Sequence, residues 1–163
     1  MEERFDTFIK VILDHEGGYV HDKDDFGGET NMGITRRRYP DMDIKNLTVG
    51  QAKQIYYDDF YKPLKLYRIK DDLLALHLLD MSVNSGKKNA IAILQEALLG
   101  CDNDGVIGPI TAQAIANAEI TTNMVAVYIA KRIEYYYKVS KRRNNKKYLA
   151  GWVNRVYKTK LDA

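Results

Sequence analysis

The chain has 163 residues, 45% of them hydrophobic and 29% charged, and a net charge of +3. That balance fits a soluble domain with a real core, long enough for two lobes. It excludes a membrane span, which needs about eighteen consecutive apolar residues, and a single Cys101 excludes an internal disulfide.

The first element is a helix. Phe5, Phe8, Ile9, Ile12 and Leu13 follow the i, i+3, i+4, i+7, i+8 spacing of a one-sided apolar stripe, and Gly17 is its stop. Its acidic start, with Lys10 and Asp14 interrupting the apolar positions, does not read as a signal peptide. Residues 16–47 are rich in Gly, Asp and Asn and read as a long loop. At most a small β-hairpin is expected there, around Tyr19–Val20 and Gly33–Thr35. So long an irregular stretch is usually functional.

Thr48 is placed to cap a helix running to Tyr61, which Pro63 ends. Asp71 or Asp72 caps the next, where Leu73, Leu74, Leu76, Leu78, Leu79 and Met81 leave almost no polar face, so this helix is central and buried. Gly86 closes it. Ile91, Leu94 and Leu98 mark a helix that stops at Gly100. CDNDGVIG reads as a tight turn, and Pro109 opens a helix through Ala118. Thr121 or Thr122 then caps a helix of roughly twenty residues, broken at Asn144 and Asn145, and a last helix runs to about Lys158. The expected fold is mainly α, with residues 1–66 as one lobe and 67–163 as a helical second lobe of the same compact unit.

Charge is uneven along the chain. Residues 131–160 hold eleven Lys or Arg against one acid, Glu134. Such a tail either faces an anionic polymer or forms the solvated side of its helices.

The chemistry concentrates in HEGGYVHDKDDFGGETNMGIT, residues 15–35. Glu16 stands at the helix end, where two glycines turn the chain. Partial burial and the negative helix terminus both favour its protonated form, as a general acid requires. Asp25 is a loop carboxylate nine residues on, and Thr30 can hold a water. Asn31 can bond a hydroxyl or the backbone. One acid, one carboxylate and a hydroxyl in a single loop are the parts of a glycosidase site.

Other chemistries find no support. His15, His21 and His77 lack metal spacing, and His77 reads as a core histidine in an apolar helix. The acidic run Asp22, Asp24, Asp25 lacks the twelve-residue calcium pattern. No nucleophile elbow, dinucleotide fingerprint, phosphate loop or nucleic-acid module is present. No metal or cofactor is expected.

EGGYV, DDFGGETNMGIT, LLDMSVNSG, AIAILQEALLG, DNDGVIGPITAQAI and GWVNRV run in order along nearly the whole chain. The first two resemble the N-terminal signature of glycoside hydrolase family 108, the N-acetylmuramidases. The rest resemble the predicted peptidoglycan-binding region that accompanies it. The resemblance implies a lysozyme-like helical fold and cleavage between N-acetylmuramic acid and N-acetylglucosamine. It implies Glu16 as the acid, Asp25 as the second carboxylate and Thr30 as the third catalytic residue. Tyr19, Asn31, Tyr61, Asn84 and Trp152 are the candidates for lining a glycan groove, since aromatic faces stack on sugars.

The expected partner is the peptidoglycan glycan strand, met by a monomer without stable membrane insertion and without nucleic acid. A chain of this kind is expected to be made in the cytoplasm and to reach the wall by holin-type release, as phage endolysins do. A lytic transglycosylase and a non-catalytic peptidoglycan binder are the alternatives.

Overall fold

In the computed structural model, which describes all residues except 1, 22–27, 100–102, 143, 144, 162 and 163, the N-terminal stripe folds as α1 (Glu3–Glu16). Phe5, Phe8, Ile9 and Ile12 are its buried face. Gly17 follows with φ +71° and gives its N–H to the Leu13 carbonyl, a conformation open to glycine at little cost.

Three short strands come next, β1 (Val20–His21), β2 (Glu29–Asn31) and β3 (Ile34–Thr35), antiparallel in the order β1-β2-β3. Met32 and Gly33 join β2 to β3 with φ of 48° and 75°, both left-handed, as the tight turns matching strand twist require. The sheet thus has one strand more than the expected hairpin. Val20 pairs with Thr30, and Thr30 with Thr35, so β2 separates the two segments the sequence seemed to join. The two-residue Met-Gly turn closes β3 onto β2 and leaves the other edge of β2 for β1.

α2 (Val49–Tyr56) starts in a capping box in which Thr48 and Gln51 bond each other's backbone N–H, satisfying two orphan donors at once. A π-helical turn, Tyr57–Tyr61, continues it. Lys53 pairs with Asp6 of α1 at 2.8 Å, and the Tyr57 ring meets Phe5 edge-on at 5.1 Å. α1, the three strands and α2 belong to the first of two units, Met1–Asp59; the second is Phe60–Ala163, and the boundary falls within the π-helical turn.

The second unit is built on α3 (Asp72–Ser85), capped by Asp71, whose carboxylate accepts the Leu74 N–H at 2.7 Å. Every residue from Leu74 to Ser82 is buried, so α3 is the central helix its leucines announce. α4 (Lys87–Leu94) runs into a π-helical turn, Gln95–Leu99. α5 (Pro109–Asn117), α6 (Thr122–Ser140) and α7 (Leu149–Lys158) complete the unit. α3 packs on α4 and α6, and α7 on α6. α6 ends where the Ser140 hydroxyl turns back to the Tyr137 carbonyl, before the break expected at Asn144 and Asn145; Asn144 lies outside the described residues, as do Gly100 and Cys101. Buried Gln95 donates to Asp104, the Val106 carbonyl and Thr111, and accepts the Gly105 N–H at 2.8 Å.

Part of the basic tail is interior. Arg132 on α6 is fully buried, donating to Asp80 of α3 at 2.7 Å and to His77 Nδ1 at 2.5 Å. Arg155 of α7 also grips Asp80, at 2.8–2.9 Å, and the Thr159 hydroxyl donates to it at 3.2 Å. Burial raises the Asp80 pKa, but the two guanidiniums outweigh it and hold the carboxyl below its usual range. Burial and then Arg132 push His77 down to about 3, against a weaker pull from Asp80. The unfolded imidazole takes up its proton near pH 6.5 and the folded one does not. Stability contributed by neutral His77 is therefore complete above pH 6.5 and is lost as the pH falls toward 3, by up to about 1.4 kcal/mol per pH unit. Urea unfolding followed through Trp152, the single tryptophan, should show that loss between pH 6.5 and 4.5, and His77→Gln should flatten it. An unchanged slope in the variant would remove His77 as its cause.

Candidate functional site

The loop after α1 brings the β2–β3 turn back against the helix end. There the carboxyl of half-buried Glu16 packs against Gly33. A Cβ built on Gly33 would lie 2.5 Å from Glu16 Oε2 and 2.9 Å from its carboxyl carbon, and would also strike Tyr56 Oη. Contacts that short force something to shift, so glycine is the residue that leaves both side chains undisturbed beside the hairpin. Both oxygens lie within 2.5 Å of one point, so they are separated by no more than twice that.

Tyr56 reaches this point from α2 and donates its hydroxyl to the Met32 carbonyl at 2.9 Å. With its proton committed there, the phenolic oxygen retains acceptor capacity toward Glu16. Helix, hairpin and second helix thus converge on one carboxyl. α1 supplies Glu16, the left-handed turn makes room beside it, and α2 brings the hydroxyl. Sequence reading missed Tyr56 and Gly33. The sharpest trace of either was a Met-Gly step between short apolar segments, a turn signal.

Thr30 lies on β2 between its partners Val20 and Thr35, two residues before the turn that receives Glu16. Alternation along the strand puts it on the face opposite Glu29 and Asn31. Asn31 is buried, and its amide donates to the carbonyls of Ile44 at 3.0 Å and Lys45 at 3.4 Å; that amide anchors the loop beneath the sheet. Tyr19 is 39% exposed as a residue, and its hydroxyl donates to Glu29 at 3.0 Å. Glu29 also takes both Nε and Nη2 of Arg36, which, with Tyr19, hold its carboxyl below the usual range. The sheet therefore offers an open aromatic face fixed by a carboxylate and a guanidinium. Asp25 lies outside the described residues.

The remaining candidates belong to the second unit. Tyr61 is fully buried and is a core position there. Asn84 is half-buried and donates to the Tyr136 hydroxyl at 2.8 Å. Trp152 stacks on Tyr136 with centroids 5.5 Å apart, a pairing that leaves it half-buried. Among the described residues no group of three His, Cys, Asp or Glu side chains is arranged to hold a metal ion, and no helix is long and apolar enough to cross a membrane.

A mainly helical chain with a small sheet, and a carboxyl wedged where a helix end meets a hairpin, has the architecture of lysozyme-like proteins. Residues 9–86 match the family model of glycosyl hydrolase 108, and residues 89–157 match the predicted peptidoglycan domain. The chain is similar to the solved structure titled "Structure of Brucella abortus SagA", with a TM-score of 0.77 and 26% identity over 95% of this chain and 90% of that one. No curated protein matches it. Together these findings support a glycoside hydrolase directed at peptidoglycan.

Proposed function

We propose that the protein is an N-acetylmuramidase, hydrolysing the bond from N-acetylmuramic acid to N-acetylglucosamine with Glu16 as general acid. The observation that carries this reading is the lodging of the Glu16 carboxyl against Gly33 and Tyr56, inside the stretch matched by the hydrolase family. A carboxyl so held is oriented before substrate arrives, and orientation is a large part of what an enzyme supplies.

Protonated Glu16 gives its hydrogen to the glycosidic oxygen as the C1–O bond breaks. The positive charge that develops on the sugar ring is stabilised by ionised Asp25, or is met by a water that Asp25 deprotonates and Thr30 holds. The water oxygen bonds to C1, completing hydrolysis. About 6.5–9.5 Å between the two carboxyls leaves room for that water and inverts the anomer, whereas about 5 Å suits a covalent intermediate and retention. Tyr19 offers its exposed ring to a sugar face.

Mass spectrometry of fragments released from purified sacculi tests the reading. Hydrolysis adds one water per cut and leaves the new reducing ends on N-acetylmuramic acid. Anhydro ends would replace it by transglycosylation, and sacculi bound without soluble fragments would leave only a binding protein.

A further inference from the structure

The cations of the basic tail do not all play one part. Arg132 and Arg155 are turned onto Asp80. Lys131 and Lys138 share Glu134, the one acid of residues 131–160, at 3.3 and 2.7 Å. Lys141, Arg142, Lys146 and Lys147 are different. All four are exposed, and among the described residues none of them meets a carboxylate.

These four gather at one end of the α6–α7 pair. Lys141 and Arg142 follow the C-terminus of α6, and Lys146 and Lys147 sit in a 3₁₀ turn, Asn145–Tyr148, that packs on both α6 and α7. Neutral rings hold two of the ammonium groups. Lys141 Nζ stands 4.3 Å from the Tyr137 ring centre, and Lys147 Nζ stands 4.9 Å from that of Tyr148. Tyr148 leans on Trp152 at 5.9 Å and Trp152 stacks on Tyr136 at 5.5 Å, so the turn is rooted in an aromatic stack. A ring face attracts a cation through its quadrupole but cancels none of its charge. The patch is therefore positioned without being neutralised. Like charges brought together repel one another, and an external polyanion removes that cost.

We infer that this end of the second unit docks the free peptide carboxylates of peptidoglycan and so concentrates the enzyme on its substrate. The sugars of that polymer bring hydroxyls and amides, and its negative charge lies in the carboxylates of its peptides. Every residue of the patch falls within 89–157, the stretch that matches the predicted peptidoglycan domain. Naming peptidoglycan as the polyanion rests on that match and on the hydrolase reading; the demand for an anionic partner rests on the charges alone.

The test is co-sedimentation of the full-length Glu16→Gln chain, which leaves its ligand uncut, with purified sacculi of three kinds. One is untreated, one is stripped of phosphodiester polymers with hydrofluoric acid, and one is amidated at its carboxyls. Stripped sacculi should bind as untreated ones do, and amidated sacculi about tenfold more weakly, the lower end of what a one-signed surface adds to local ligand concentration. Binding should also fall between about 0.1 and 1 M salt, as the screening length drops from about 10 to about 3 Å. Lys141→Gln with Lys147→Gln should weaken it several-fold. Lys158→Gln with Lys160→Gln removes the same charge at the far end of α7, about 13 Å of helix away, and should leave it unchanged. All four lysines are exposed, so both double variants should fold with urea midpoints near the native one.

Equal binding of amidated sacculi, equal effects of the two double variants, or tighter binding to phosphatidylglycerol vesicles than to sacculi would each overturn the inference. Loss of binding on stripping would do so too, by naming a phosphate polymer instead. Lysis by the native chain without carboxylate-dependent binding sinks the docking surface alone. Carboxylate-dependent binding by a chain that releases no fragments sinks the hydrolase reading and leaves the surface standing.

Discussion

Glu16→Gln should lower the rate of wall hydrolysis by about 10²–10⁴-fold, the worth of a positioned general acid, while the protein remains folded. Glutamine keeps the shape of the side chain, so the packing against Gly33 and Tyr56 survives; what it lacks is the acidic proton. Stability should hold or rise slightly. Glu16 is the last residue of α1, where the helix presents its negative end, and removing a carboxylate there is worth about 0.3–1 kcal/mol. Activity and stability therefore part company, which a merely structural glutamate would not cause. The measurement is turbidity loss of purified walls beside a urea melt of the same preparation. Lysis at the native rate would take the acid's role away from Glu16.

Much of the frame around that residue is legible in the sequence, because its causes are local. The Phe5, Phe8, Ile9, Ile12 stripe is buried as its spacing requires, and Thr48, Asp71 and Thr121 each cap the helix they precede. Gly17 ends α1 for a reason contained in three residues. The sheet is different. Strands of two or three residues carry no usable period, and a turn with Met32 in a left-handed conformation is not the Asn-Gly signal that marks hairpins.

The site is harder still, since it depends on residues far apart in the chain. Tyr56 stands forty positions from Glu16, and as a buried aromatic in α2 it is indistinguishable by pattern from Tyr61. Charge misleads in a similar way. Arg132 and Arg155 count toward a basic tail, yet they close on Asp80, more than fifty positions earlier. A buried aspartate in an apolar helix calls for such partners, but nothing local says which cations answer.

Gly33→Ala carries the other large effect. At φ +75° a side chain is strained, and a misplaced conformation of this kind costs about 1–3 kcal/mol. The new methyl would also overlap Glu16 Oε2 and Tyr56 Oη. Both are ends of side chains, so they would yield, and the yielding is what matters. Displacement of a catalytic group by about 1 Å costs on the order of 10²-fold in rate. Hydrolysis should therefore fall by about that factor in a protein that still folds, with its urea midpoint lowered.

Tyr56→Phe distinguishes displacement from simple loss of stability. It removes one of the two colliding oxygens and gives up the bond to Met32, worth about 1 kcal/mol, so alone it should destabilise modestly. Combined with Gly33→Ala it should do less harm than the sum of the two, because the methyl gains room beside Glu16, and neighbours that share a contact are not additive. Activity partly regained in the double variant, with stability no better than in Gly33→Ala, places the defect at the Glu16 carboxyl. Strictly additive losses in both quantities would mean that Gly33 serves only the turn, and that the hairpin does not position the acid.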